Sequence, residues 1–496
     1  MSALPQCESA PLEPALERVC AARPGESCAV LVADNRLALL SRLAFVDRAT
    51  RSIDVQYYII RGDTTGLLLV ERLLAAADRG VHVRVLVDDV YTVGQEPVIA
   101  AFDSHPAIEV RLFNAFARRH PSFLLRVWET LISRRPLSRR MHNKSFVVDR
   151  SIAIVGGRNL GDEYFDAAEE MNFRDLDVAL FGPAAKDVAR SFDCFWESPA
   201  AAPVASLTPV GRETTLEAVR RMLARHAERF RASEYVAALR DGDLLAELER
   251  EASRGYWGAA EVIFDDPTKI AEEYRPRRWR FARRRLRSAP RIVETLRSAQ
   301  RSITLSSPYF VPGARGCEML EALRARGVAI RVITNSLAAT DVPAVHAGYE
   351  RYRRRLLRAG VEIWELRAEA GRRRRHTFGS SSTASLHAKA FTIDGRLAFV
   401  GSMNMDPRSA FLNTEIGVLM ESEGLAARID AYCAGLAHLE RSYRVSLERH
   451  ARFDRLRWDY VDAAGVHRTI HHEPDATLAR RIVSQLIAWL PLESQL

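Results

Sequence analysis

The sequence predicts an α/β protein built from two similar halves joined by a helical connector. Three blocks of strand and helix character recur in the same order, offset by about 250 positions. One short polar motif, identical in spacing, closes both series. With 496 residues and 47% apolar composition, the chain can bury more than one ordinary core.

The first block reads SIDVQYY at 52–58 and SITLSSPY at 302–309, each an apolar–polar alternation of strand type. The second reads AAADRGVHVRVLVDD at 75–89 and EALRARGVAIRVITNS at 321–336. Both are a helix end, an Arg-Gly-Val break and a buried strand rich in Val and Ile. The third reads MHNKSFVVDRSIAIVGGRN at 141–159 and LHAKAFTIDGRLAFVGSMN at 386–404, a strand pair in each half. Strand–helix–strand followed by an excursion and a strand pair is an α/β pattern. The expected division is an N-terminal extension over 1–30, a first half over 31–204, a connector over 205–290 and a second half over 291–496. The connector has helical periodicity at Leu216, Val219 and Leu223 and at Leu244, Leu245 and Leu248. Its run RPRRWRFARRRLR (275–287) is either a patch for an anionic ligand or a solvated charged helix. The ending ATLARRIVSQLIAWLPLESQL reads as an amphipathic helix with a Pro stop.

The formal charge of +9 favours anionic partners, phospholipid headgroups or nucleic acid. Only four of the 72 basic residues are lysine: Lys144, Lys186, Lys269 and Lys389. Genomic composition accounts for that bias by itself, yet two of the four fall in the motif. The six cysteines, Cys7, Cys20, Cys28, Cys194, Cys317 and Cys433, show no zinc or redox spacing. Reduced thiols in a cytoplasmic protein are expected. The first 20 residues lack the basic and apolar regions of a signal peptide, and no stretch approaches the ~18 apolar residues of a spanning helix. Any membrane contact is therefore expected to be peripheral.

The motif is His-x-Lys-x4-Asp, then six residues, then Gly-(Gly/Ser)-x-Asn. It holds His142, Lys144, Asp149, Gly156, Gly157 and Asn159 in one half and His387, Lys389, Asp394, Gly401, Ser402 and Asn404 in the other. Chance would give the His-Lys-Asp part roughly 0.005 times in such a chain. On a strand, positions i and i+2 face one way, so each His points with its Lys. The strand turns at the aspartate and returns to the glycines and Asn. His, Lys and Asn then share one rim, whereas Asp149 and Asp394 sit at the turn in a structural role.

This set suits a phosphodiester. Lys and Asn can stabilise charge that grows on phosphoryl oxygens without a metal. One neutral His can attack phosphorus, and a second, protonated, can serve the leaving alcohol. A carboxylate on the far ring nitrogen would fix each tautomer. The candidates are Asp175 in FRDLDVALFG and Glu415 in NTEIGVLMES. His346, His376, His471 and His472 stand in no such context and are expected to be structural or exposed.

At these residues the sequence resembles the phospholipase D superfamily, which carries this motif twice. The resemblance implies two α/β/α halves related by a pseudo-twofold axis, with one active site between them. It implies a phosphohistidine mechanism with His142 as nucleophile and His387 as general acid and base, no cofactor and no metal. The stretch from SIDVQYY to LVDD, the block RRMHNKSFVVDRSIAIVGGRNLGDEYF, the phrase FDDPTK (264–269) and the ending LPLESQL narrow the likeness to bacterial cardiolipin synthases of the C type. Phosphatidylglycerol, with or without phosphatidylethanolamine, is the implied substrate, and the inner face of the cell membrane the implied location. Residues 122–140 put Leu124, Trp128, Leu131 and Ile132 on one helical face with Arg134, Arg135, Arg139 and Arg140 behind, either an interfacial helix or one packed on its own domain. Arg372–Arg375 form a second basic stretch before His387. Two other enzyme readings share the motif: a lipid hydrolase and a metal-independent nuclease. No nucleic-acid module is recognisable for the latter.

Overall fold

The computed structural model describes residues 18–116, 139–207, 214–231, 233–239, 250, 253–270, 288–368, 383–449, 454–477 and 480–481. The connector run 275–287, Arg372–Arg375, residues 122–138 and nearly all of the C-terminal helix lie outside them.

The first half supplies strands β1 (Ser27–Val32), β2 (Ser52–Tyr57), β3 (His82–Asp88), β4 (Ile108–Phe113), β5 (Ser145–Val148), β6 (Ile152–Gly156), β7 (Met171–Arg174), β8 (Asp177–Phe181) and β9 (Ala201–Pro203). The connector adds β10 (Tyr256–Gly258) and β11 (Ala260–Phe264). The second half has β12 (Ser302–Ser306), β13 (Ala329–Asn335), β14 (Glu362–Leu366), β15 (Thr383–Leu386), β16 (Ala390–Ile393), β17 (Leu397–Gly401) and β18 (Ile416–Glu421), followed by β19 (Ser442–Arg449), β20 (Asp454–Val461) and β21 (His467–Ile470). They form a nine-stranded sheet ordered β10-β1-β8-β6-β5-β2-β3-β4-β9 and a ten-stranded sheet ordered β11-β18-β17-β16-β12-β13-β14-β19-β20-β21. The run β8-β6-β5-β2-β3-β4 in one sheet repeats as β18-β17-β16-β12-β13-β14 in the other. The repeat seen in the sequence is thus a repeat of topology.

Parallel neighbours β2 and β3, like β12 and β13, need a crossover, and the helices Thr64–Asp78 and Gly313–Ala325 provide it. Asp63 caps the first of these by accepting from Gly66 N–H. The outer faces carry separate cores. The inner faces share one, in which Val147, Val155, Val178 and Val188 pack with Val400, Ile416, Val418 and Ile429. Apolar burial of this kind, at about 25 cal/mol per Å², holds the halves together.

Two features differ from the expected pattern. The connector is helical over Leu216–Arg231, with Val219 and Leu223 buried, but its end is β-structured and gives one strand to each sheet. Gly258 makes the crossing: a Cβ there would lie 2.0 Å from the Glu421 carbonyl oxygen. The second half also continues past β19, which pairs with β14 as β9 pairs with β4, into the antiparallel strands β20 and β21; these two have no counterpart among the described residues of the first half, so the two-half repeat does not predict them.

Candidate active site

The motif hairpins are β5–β6 and β16–β17. Asp149 and Asp394 hold their turns at positive φ, 50° and 56°. Asp149 accepts from the backbone N–H groups of Thr50, Arg51 and Ser52, and Asp394 from those of Gln300, Arg301 and Ser302. Each motif aspartate therefore ties its hairpin to the segment leading into β2 or β12, at the opposite end of the strand from the histidine.

The spacing puts the His-x-Lys triplets on the strands themselves. They instead precede the ladders, which begin at Ser145 and Ala390. The reason is a bond to the other half. His142 N–H donates to the Thr414 carbonyl (2.9 Å), and His387 N–H to the Arg174 carbonyl (2.8 Å). Thr414 and Arg174 are followed directly by Glu415 and Asp175. Strand β15, just before His387, pairs in parallel with β7, just before Asp175. Met141 makes the matching isolated bridge to Thr414.

This exchange delivers each carboxylate to the opposite histidine. His142 Nδ1 lies 2.9 and 3.1 Å from the two carboxylate oxygens of Glu415. His387 Nδ1 lies 2.6 Å from Oδ2 of Asp175. Both histidines are buried. A carboxylate at Nδ1 requires the proton there and leaves Nε2 free for chemistry. Lys144 donates to the His142 carbonyl at 2.9 Å, and Lys389 to the His387 carbonyl at 2.6 Å. Asn159 donates to the Tyr164 hydroxyl at 2.8 Å. The side-chain oxygens of Asn159 and Asn404 are buried without a hydrogen-bond partner among the described residues, a state that calls for an explanation.

The glycines set the spacing. A Cβ at Gly157 would lie 2.2 Å from Asp175 Oδ1, and one at Gly156 2.0 Å from Asp177 Oδ1. Gly401 meets the Gly417 backbone at 2.6 Å. Ser402 stands where the first half has Gly157, and its hydroxyl donates to Glu415 Oε2.

Burial and crowded cations dominate the electrostatics. Burial, then the charges of Lys144, Lys389 and His387, holds His142 well below the usual imidazole range. Both motifs thus act on one ring. Burial also lowers His387, against which Asp175 pulls upward. Burial alone would raise Asp175, but His387, Lys389 and Arg158 outweigh it and leave the carboxyl at about 2. Glu415 goes the other way: burial pushes it up to about 7 despite Lys144, Ser402, Ser409 and Lys269. Burial brings Lys144 down to about 7 and Lys389 to about 8.

Several contributors carry no sequence signal. Tyr58 stands edge-on to His142, with ring centroids 5.2 Å apart, and Tyr164 and Phe173 contact His387 at 5.3 and 4.8 Å. An aromatic residue in or beside a strand reads the same whether it forms wall or core. Arg140, expected on the basic side of an interfacial helix, is buried instead and paired with Asp88, whose other oxygen accepts Met141 N–H. Arg139 likewise turns inward to the Lys269 carbonyl. Arg140 is thereby withdrawn from a membrane surface, while Arg139 is half-buried; residues 122–138 lie outside the described residues. His346 is buried as expected, 3.4 and 3.6 Å from oxygens of Glu350 and Glu473, the one group with metal-ligand spacing among the described residues. Glu473 is also bound by Arg353, and none of the three belongs to the motifs.

Comparisons with known proteins show the family and the fold. The family model described as "Cardiolipin synthase, PLD-like domain" matches residues 43–196 and 292–436. The chain is 37% identical to cardiolipin synthase C of Escherichia coli K12 over 96% of this chain and 97% of that one. It is 26% identical to a cardiolipin synthase A of Pseudomonas putida, over 84% of this chain and 74% of that one. In fold it is similar to the phosphatidylserine synthase of Haemophilus influenzae, with a TM-score of 0.53 at 12% identity, over 86% and 90% of the two chains. A motif repeated in both halves, a site assembled across them and a near full-length relative converge on one statement: the chain belongs to the phospholipase D-like cardiolipin synthase family of enzymes.

Proposed function

We propose that the enzyme transfers a phosphatidyl group from one phospholipid to the headgroup hydroxyl of phosphatidylglycerol, forming cardiolipin through a phosphohistidine. The crossed pairs His142–Glu415 and His387–Asp175 carry the reading, because they prepare two imidazoles for different tasks. His142, held neutral, attacks phosphorus with Nε2, and the bond from phosphorus to the leaving alcohol breaks. His387, kept beside an ionised Asp175, donates its Nε2 proton to that alcohol. The neutral His387 next takes the proton of the acceptor hydroxyl. That oxygen attacks phosphorus, the N–P bond breaks and His142 is restored. Lys144, Lys389, Asn159 and Asn404 stabilise the phosphoryl oxygens through both steps. Gly156, Gly157, Gly401 and Ser402 set the spacing.

The likeness to cardiolipin synthase C over nearly the full length of both chains supports transfer over hydrolysis. Among the described residues no helix is long and apolar enough to cross a membrane. Peripheral association with the inner face of the cell membrane suits such a chain and its lipid substrates.

The test is incubation with phosphatidylglycerol, with and without phosphatidylethanolamine, followed by lipid mass spectrometry. Cardiolipin should form with the wild type and not with His142→Ala. Release of phosphatidic acid alone would establish a hydrolase instead.

A further inference from the structure

The two histidine partners are anchored differently. In the first half the motif supplies the anchor. Arg158, fully buried, donates to the Asp175 carbonyl at 2.8 Å and pairs with Asp177 at 3.2 Å. The second motif has Met403 in place of Arg158, and Gly417 stands where Asp177 would. The equivalent cation and carboxylate come from outside the half.

They come from the connector phrase FDDPTK. Asp266 caps the turn Pro267–Lys269 by accepting from Thr268 N–H, and the turn brings Lys269 back onto Asp265. Asp265 holds both backbone groups of Glu415: its N–H donates to the Glu415 carbonyl (3.0 Å), and its Oδ2 accepts the Glu415 N–H (3.1 Å). Lys269, buried, donates to Asp265 Oδ2 and to the Ser409 carbonyl, both at 2.9 Å. Ser409 in turn donates its hydroxyl to Glu415 Oε1 at 2.7 Å. Ser288 closes the cluster with two bonds to Asp265.

We infer that Lys269 and Asp265 are positioning residues for the reaction: the connector's ion pair bridges the backbone and side-chain supports of Glu415 and so orients the carboxylate that directs His142. Three of the chain's four lysines then serve one site. The inference rests on the proposed reaction for its assay and adds to it a role for the connector.

The two ends of the pair carry opposite charges beside the same carboxylate, so their removal moves its titration in opposite directions. Loss of the Lys269 charge makes Glu415 harder to ionise; loss of the Asp265 charge makes it easier. Cardiolipin formation is measured against pH for the wild type, Lys269→Met, Lys269→Arg and Asp265→Asn, with thermal unfolding as the fold control. Lys269→Met should lower kcat about 10- to 100-fold with little change in KM, and move the acid limb of kcat/KM to higher pH. Asp265→Asn, an isosteric change, should move that limb to lower pH. Lys269→Arg should return the limb towards the wild-type position. Limbs that shift together, or not at all, in folded variants overturn the inference. If Lys269→Met does not fold, Asp265→Asn decides it: a limb moved to lower pH supports the inference, and one unmoved or moved to higher pH overturns it. A wild type that makes no cardiolipin would refute the proposed reaction, which the variants alone cannot do.

Discussion

His142–Glu415 and His387–Asp175 are the same chemical pair in two settings. Around Asp175 the support is cationic and rigid: Arg158 binds its carbonyl, Leu176 N–H its Oδ1, and Gly157 leaves no room for a side chain. Around Glu415 the carboxylate meets two neutral hydroxyls, Ser402 and Ser409, and its anchoring cation, Lys269, stands farther off behind Asp265. One carboxyl falls to about 2 and the other rises to about 7. Duplication made the backbone symmetric, and the neighbours of each pair undid that symmetry where protonation is decided. An acid and a nucleophile can then work at one pH.

The sharpest break in the comparison is removal of either ring. His142→Ala and His387→Ala should each cost about 10⁴-fold or more in turnover. Only His387→Ala should still form the labelled phosphoenzyme, detected with a phosphorus-labelled donor that has a good leaving group. Label on His387 in the His142→Ala protein would reverse the roles. Removing the carboxylates comes next. Asp175→Asn should cost about 10³- to 10⁴-fold in kcat, since it leaves His387 without a counter-charge. Glu415→Gln should cost less, because the neutral His142 needs orientation more than charge. Equal losses would argue against the asymmetry.

Spacing can be tested by exchange. Gly157→Ser, which copies the second motif, places Cβ 2.2 Å from Asp175 Oδ1 and should destabilise the fold by about 1–3 kcal/mol. Ser402→Gly fits without a clash, and its cost of about 1–3 kcal/mol should come instead from the lost hydroxyl bonds to Glu415 and Ile416 N–H. Thermal melts of the two variants give the comparison. Acidity supplies a smaller effect. The lysines are charged below their pKa values of about 7 and about 8 and lose charge as pH rises through them. Raising pH from 7 to 9 should therefore raise KM for anionic lipid several-fold, with Lys144 neutralised first. The smallest effect on chemistry belongs to the turn. Asp394→Ala removes the acceptor for three backbone N–H groups and should cost about 1–3 kcal/mol of stability. Turnover per folded molecule should stay near wild type.

Much of this site is legible in the sequence because the chemistry demands rare residue types at fixed spacing, twice. His-x-Lys and the Gly/Asn tail are of that kind. Asp175 and Glu415 are legible as carboxylates beside strand starts. Their exchange between halves is not, since it depends on how two sheets pack, and no local pattern encodes a partner more than 200 residues away. The same limit explains the triplets lying outside their ladders, whose bonding partners belong to the other half. Arg140 misleads for another reason: a basic residue at the end of an amphipathic stretch reads as surface until Asp88 is seen opposite it. The connector strands are three and five residues long and have no turn signal between them.

The exchange of carboxylates also bears on descent. A polypeptide consisting of one half would own a histidine and a carboxylate that cannot meet each other. It could complete the pair only by docking against a second copy, which yields two equivalent histidines and no reason to differ. Fusion into one chain frees each copy to mutate alone. The replacement of an arginine–aspartate anchor by a lysine–aspartate anchor from the linker is the kind of divergence that only a fused pair can accumulate.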